Sequence, residues 1–429
     1  MANSAPALRV QWHDGRLVGK VVVPGVTFFG YDETWLTTGY SLSPLAVPFN
    51  STVFRQRAAD FDQLPGFLSD CLPDQWGRRL MERDFRALNV NPTPMRMLAW
   101  VGNRGIGALT FAPAFEEAHS NSSWEPVTPL LLTREAQEVV RNSPPESFRH
   151  LLQGGTAGGA YPKATVGLLR DGTLVTRGNV AAARLPGMKL GILKLDTQDD
   201  PLESSTDGRV EAAYLRMARA AGIRTSRARV MSDPASSRPR HHLFVERFDL
   251  APRDRRLHVL SLAGALHRHD LTYVDLLTAT RDLTSDRAHV LEAVRRMCFN
   301  VRSGNADDHG KNHSFLFDGS SGRWTLSPAY DLTPSYSRDR ELRGLFPSTF
   351  GASPRRQALA DVAAEAGVTL SEFDEIDGAV AAAVGRWAEH AERLNVPNDL
   401  VTRAAEIQSD LAGSMTSSAP ARSSRHRRW

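Results

Sequence analysis

The chain has 429 residues, 41% hydrophobic and 23% charged, enough for two or three packed units without disulfide or metal staples. Its two cysteines, Cys71 and Cys298, exclude a disulfide-dense secreted scaffold and a multi-cysteine zinc domain. The formal net charge of +4 equals the four arginines Arg422, Arg425, Arg427 and Arg428, so the body is near neutral and makes only a weak case for nucleic-acid binding.

In chain order, the opening residues show no basic segment followed by an apolar one, which predicts a chain without a secretory signal. No run reaches the ~18 apolar residues of a membrane span, so a cytoplasmic protein with no membrane partner is expected. Residues 8–23 form two alternating apolar runs around Asp14-Gly15, a hairpin signature. A short helix is predicted after Pro73 in CLPDQWGRRLMER, and MRMLAWVGNRGIGALTFAP returns to strand character by about residue 112. Residues 115–147 are polar and rich in Pro and Ser around one candidate helix at 134–141, and mark a boundary.

A second β-rich section follows. Strands are expected on either side of Asp171-Gly172, in LGILKLDT at 190–197 and in HHLFVERF at 241–248. Between the last two, VEAAYLRMARAAG reads as an amphipathic helix closed by Gly222. From about residue 257 the pattern becomes helical. There Thr369 and Glu372 form a capping box ahead of Phe373, Ile376, Val380, Val384 and Trp387 at helical spacing. The tail after Gly413 reads as disordered. The expected units are 1–115, a linker at 116–149, 150–250, 251–413 and the tail 414–429. This is a bilobal α+β layout, which alone has many uses.

The densest polar constellation is GNADDHGKNHSF at 304–315, followed by LSPAYDL at 326–332. Asp307 and Asn312 are five apart, the spacing of Asp and Asn in the protein-kinase catalytic loop. There the Asp accepts the substrate hydroxyl proton and the Asn binds magnesium. A further Asp, here Asp331, would add a hard oxygen donor, with nucleotide phosphates completing the metal shell. Two other readings stay open: a polar turn that satisfies its own backbone, and zinc held by His309 and His313 if both lie on a helix.

The Gly-rich stretch Gly154–Gly159, with Lys163 beyond it, can wrap backbone N–H groups around phosphates. A glycine cluster alone is more often a flexible loop, and this one lacks the Gly-Lys-Ser/Thr of a P-loop. Lys194 lies within an apolar run, as does the strand lysine of kinases; the alternative is a lysine snorkelling from a sheet edge. Only five of the 52 basic residues are lysine, and three of those, Lys163, Lys194 and Lys311, fall in these motifs. Lysine kept in an arginine-rich chain points to a compact point charge. Glu211 is placed either to orient Lys194 or simply to complement its helix dipole.

With these parts in this order, the chain resembles the HipA family, bacterial serine/threonine kinases of toxin–antitoxin systems. The resemblance rests on LPDQWGRRL, GGTAGGAYPKA, ILKL, VERFD, NADDHGKNHSF and LSPAYDL, and runs to about residue 390. It implies a kinase-like fold with a β-rich N-terminal subdomain, a β-rich N-lobe and an all-helical C-terminal lobe. It also implies an ATP- and Mg²⁺-dependent kinase in which Asp307 is the base, assisted by Lys194 and His309, while Asn312 and Asp331 hold the metal. Nucleotide contacts are implied for Ala157, Gly158, Gly159, Lys163, Lys194, Glu246, Arg247, Phe248, His309, Lys311 and Asn312.

Thr156 stands where several members carry a loop serine whose autophosphorylation ejects the loop, and Tyr161 stands where glutamine is common. The implied partners are a HipB-like DNA-binding antitoxin, DNA through that antitoxin, and a protein substrate of translation such as an aminoacyl-tRNA synthetase. A small-molecule phosphotransferase on the same fold and a DNA-associated regulator without kinase activity are the other classes left open.

Overall fold

The chain opens with the expected hairpin. β1 (Leu8–Trp12) and β2 (Leu17–Val22) pair antiparallel, and their turn places Gly15 at φ +92°, a conformation glycine adopts without a Cβ penalty. Leu8, Val10 and Trp12 face inward while Arg9 and Gln11 alternate outward, as strand geometry requires. β3 (Phe28–Tyr31), β4 (Phe54–Arg55) and β5 (Leu109–Ala112) complete a five-stranded sheet of order β4-β3-β2-β1-β5. The computed structural model describes residues 7–23, 25–56, 60–114, 124–154, 159–176, 185–197, 207–233, 239–336 and 344–416.

Helices Gln75–Ala87 and Pro94–Val101 lie between β4 and β5. The second begins one residue ahead of the MRMLAWVGNRG segment and takes in its first seven residues; Thr93 caps it and Pro94 suits its first turn. The expected 134–141 helix spans Pro129–Val140, because Thr128 and Pro129 supply the same two start signals.

The second sheet comprises β6 (Glu125–Val127), β7 (Lys163–Leu168), β8 (Leu174–Thr176), β9 (Lys189–Lys194), β10 (Ala228–Asp233) and β11 (Arg240–Glu246), in the order β10-β11-β9-β7-β8-β6. All six residues of β7 are buried. Ala164 and Val166 join the core that includes Trp76 and Phe148 of the N-terminal half. Leu243 and Val245 of β11 pack instead with Ala212 of helix Gly208–Ala220. Asp207 caps that helix and Gly222, at φ +83°, ends it. A Cβ on Gly208 would stand 2.6 Å from the His241 carbonyl oxygen, so glycine lets the helix start lie directly on β11.

The C-terminal half is built on helix Arg287–Ser303, which Gly304 ends at φ +74°. The capping box of Thr369 and Glu372 starts helix Leu370–Val384, and Trp387 begins a separate short helix. The C-terminal lobe was expected to be all-helical; the structure adds a three-stranded sheet, β12 (His258–Ser261), β13 (Ser314–Asp318) and β14 (Arg323–Leu326). These strands are four or five residues long, and β13 is buried at four consecutive positions. So short an apolar run carries no period that separates strand from helix. The last helix, Asn398–Thr416, continues past Gly413 and buries Met415; the expected tail boundary at 414 is therefore corrected by one turn.

The N-terminal subdomain packs on both later parts. Tyr40 meets Phe317 of β13 at 4.6 Å between ring centroids, and Asp249 accepts from the Gly107 backbone N–H at 2.8 Å. Of the Gly-rich stretch, Gly155, Thr156, Ala157 and Gly158 lie outside the described residues, as does the tail from 417.

Candidate active site

β9 ends at Lys194, and its direct partner on β7 is Lys163. The pairing puts two ammonium groups on one face of the sheet. Lys194 Nζ donates to Glu211 Oε1 and Oε2 at 2.8 and 2.6 Å and to Asp331 Oδ1 at 2.5 Å. One lysine thus joins the sheet, the helix beside it and the LSPAYDL loop. Burial opposes its charge, but Asp331 and Glu211 outweigh that and raise its pKa. The Asp331 carboxyl is held below the usual range by Lys194, despite partial burial, with Lys163 and His309 adding to the effect. Lys163 is almost fully buried, which lowers its pKa to about 8 against the opposing pull of Asp331.

Asp331 has φ +57°, a left-handed conformation that costs energy for a non-glycine residue and recurs at functional sites. Its neighbour Tyr330 fixes the turn. The Tyr330 hydroxyl donates to the Lys311 carbonyl at 2.6 Å, shares a 2.6 Å hydrogen bond with Ser314 Oγ, and its ring lies 5.4 Å from that of Phe248. Phe248 is thereby brought beside the Asp331 loop.

The 304–313 segment is a loop between helix Arg287–Ser303 and β13, so the helical condition for zinc on His309 and His313 is not met. His313 is buried and burial lowers its pKa to about 3, while His309 sits near Asp331. Among the described residues no group of three His, Cys, Asp or Glu is arranged to hold a metal. Asp307 is exposed, and Asn312 Nδ2 donates to its carbonyl at 2.8 Å. That bond uses the amide nitrogen of Asn312 and leaves its oxygen as an oxygen donor.

Asp308 anchors the loop from below. It is fully buried, accepts from the Tyr273 hydroxyl and from Phe346 N at 3.1 Å, and burial pushes its pKa up to about 7. Lys311 Nζ reaches Asp74 Oδ1 at 2.5 Å, and Asp74 Oδ2 accepts from Gly159 N at 3.0 Å. Sequence reasoning passed over Asp74 and Asp308 as functional positions. Asp74 was visible only as part of LPDQWG, and Asp308 only as the second Asp of NADDH.

Two expected nucleotide contacts point elsewhere. Glu246 pairs with Lys189 at 2.5 Å, and Lys189 is five residues from Lys194 along the strand, hence on its opposite face. Arg247 is buried against Asp249 at 2.6 Å and the Gly105 carbonyl at 3.3 Å. A contact from Arg247 to a bound nucleotide would therefore have to come from its backbone. Ala157, Gly158 and Thr156 lie outside the described residues.

The comparisons with known proteins follow this layout. Residues 155–394 match the model of the HipA-like C-terminal domain and residues 8–112 that of the HipA N-terminal domain. The chain belongs to the HipA family. It is 28% identical over 346 residues to protein Y4mE of Sinorhizobium fredii, whose name proposes a kinase, covering 75% of this chain and 76% of that protein. A solved HipA of Shewanella oneidensis, in complex with HipB and operator DNA, shares the fold. It has a TM-score of 0.64 at 17% identity, over 95% of this chain and 96% of that one. The Helicobacter pylori proinflammatory kinase CtkA aligns with a TM-score of 0.31 at 12% identity, over 58% of this chain and 93% of that one.

Proposed function

We propose that the chain is an ATP- and Mg²⁺-dependent serine/threonine protein kinase, the toxin of a toxin–antitoxin pair. The observation that carries this reading is Lys194, held by Glu211 and Asp331 together. A half-buried lysine tied to a helix glutamate and to a loop aspartate is the arrangement phosphoryl transfer uses to hold nucleotide phosphates. A zinc site or a self-satisfied turn explains neither ion pair.

The donor set suits magnesium. Asp331 keeps one carboxylate oxygen beyond its bond to Lys194, and its side chain is 39% exposed; Asn312 offers its amide oxygen. Both are hard oxygen ligands, and a few suffice when phosphates complete the shell. Magnesium bound there would neutralise charge on the transferring phosphoryl group. In this reading Lys194 and Lys163 meet the phosphates, and exposed Asp307 accepts the proton of the attacking hydroxyl. His309 supports the charge balance around Asp331. Catalysis is then positioning plus charge stabilisation.

The partner in this reading is a HipB-like DNA-binding antitoxin, as in the Shewanella complex, with operator DNA reached through it. The substrate is a protein of translation, such as an aminoacyl-tRNA synthetase, phosphorylated in the cytoplasm; no described helix is long and apolar enough to cross a membrane. Thr156 belongs to the proposal as a self-inactivation site. A phosphate there adds about −1.5 to −2 charges next to bound nucleotide phosphates, disfavouring the nucleotide-bound loop.

Calorimetric titration with ATP tests the nucleotide site. Binding should require Mg²⁺ and weaken at least tenfold in Asp331→Ala. Magnesium-independent binding, or none by the wild-type protein, would overturn the assignment.

A further inference from the structure

The N-terminal subdomain contributes more than packing to this site. Asp74 lies just ahead of helix Gln75–Ala87, a sequence distance of 237 residues from Lys311, yet its carboxylate binds Lys311 Nζ at 2.5 Å and Gly159 N at 3.0 Å. Trp76 adds two bonds from the next turn: its backbone N–H donates to the Gly159 carbonyl at 3.2 Å and its indole Nε1 donates to the Lys163 carbonyl at 3.0 Å. Gly159, at φ +102°, holds a conformation that L side chains rarely adopt, and a Cβ there would stand 2.0 Å from Lys163 Nζ and displace that ammonium. The end of the Gly-rich stretch, Lys163 and the 304–315 loop are therefore tied to one short segment of another subdomain.

We propose that Asp74 is a positioning residue for phosphoryl transfer, clasping the end of the Gly-rich stretch to the 304–315 loop through Gly159 and Lys311. This rests on the kinase reading above. Both of its bonds are charge-assisted, so they are stronger and more geometrically exacting than neutral ones. The described bonds of the Asp74 carboxylate go to Lys311 and to Gly159, so the clasp sets where the phosphates are received and leaves the base and the metal donors in place. Although burial opposes its charge, the Lys311 ammonium holds the Asp74 carboxyl ionised, and Gly159 N–H adds to this.

The substitution Asp74→Asn keeps the volume but turns an amide NH2 toward either Lys311 or Gly159, because these two donors address different carboxylate oxygens. Steady-state kinetics with Mg–ATP should show KM for ATP raised about tenfold, with kcat at saturating ATP within about threefold of wild type. Combined with Lys311→Gln, the two KM effects should be less than multiplicative, because the variants remove the same bond. An unchanged KM, multiplicative effects, or a fall in kcat matched by a fraction of unfolded protein would overturn the proposal.

Hydrogen exchange without nucleotide decides the clasp separately from the kinase reading. Amides of residues 159–168 should exchange faster in Asp74→Asn than in wild type, with the 370–384 helix unaffected. Equal exchange across 159–168 would overturn the clasp even in an active kinase. A wild-type protein that fails to bind ATP but shows faster exchange in the variant would keep the clasp and sink its role in phosphoryl transfer.

Discussion

Replacing Lys194 by methionine keeps an unbranched side chain only one atom shorter and removes the charge on which the site is built. Glu211, with an 8% exposed side chain, loses bonds of 2.8 and 2.6 Å, and Asp331, 39% exposed, loses one of 2.5 Å. Breaking a buried ion pair by deleting one partner costs about 3–5 kcal/mol, because the remaining charge is left uncompensated. Two features move the expectation to the low end. Asp331 is hydrated enough to keep its charge cheaply, and Lys163 stands close enough to act on both carboxylates. A loss of about 3 kcal/mol is expected for Lys194→Met, nearly all of it through Glu211.

Urea unfolding near neutral pH, followed by far-ultraviolet circular dichroism, measures that loss. The double variant Lys194→Met with Glu211→Gln should recover at least half of it, since a neutral amide carries a smaller desolvation cost. A loss below about 1 kcal/mol, or no recovery in the double variant, would refute the claim that Lys194 balances a buried carboxylate.

Three further outcomes are expected. Asp308 is raised from its ordinary 3.8 to about 7 by burial, so the fold favours its protonated form. That contribution is complete below the unfolded value and is lost as pH rises to the folded one. Between pH 5 and 7.5 the wild type should lose about 2 kcal/mol of unfolding free energy relative to Asp308→Asn; parallel pH curves would contradict this. Deleting residues 417–429 should leave the thermal midpoint unchanged, whereas deletion from Ser414 removes buried Met415 and the bond from Ser414 Oγ to Pro354 O at 3.1 Å. The longer deletion should destabilise by about 1–2 kcal/mol, and equal midpoints for the two deletions would show that the last turn of the helix is dispensable.

Much of the fold was legible because its signals are local. Asp14-Gly15, Gly222 and the Thr369–Glu372 capping box each specify a turn or a helix end within four residues, and each forms. The three-stranded sheet was not legible, because β12 pairs with a strand more than 50 residues away and neither is long enough to show a period. The candidate site divides the same way. Asp307 and Asn312 share one loop, so their spacing is readable. The Lys311–Asp74 bond spans two subdomains, and no periodicity or spacing encodes it. Arg247 illustrates the converse. It adjoins Glu246 and Phe248 in sequence, yet its side chain is drawn to Asp249, the last residue of the same VERFD motif, and to the Gly105 carbonyl, a backbone acceptor far outside it.

The most direct test of the central claim is transfer of the ATP γ-phosphate to protein. Wild-type chain and Asp307→Asn, matched by circular dichroism and by ATP affinity, are each incubated with Mg²⁺ and γ-labelled ATP in a cell lysate, and labelled protein is mapped by mass spectrometry. Label on serine or threonine with the wild type, reduced at least a hundredfold with Asp307→Asn, is the predicted result. Label appearing only on small molecules, or equally on protein with both chains, would contradict the account.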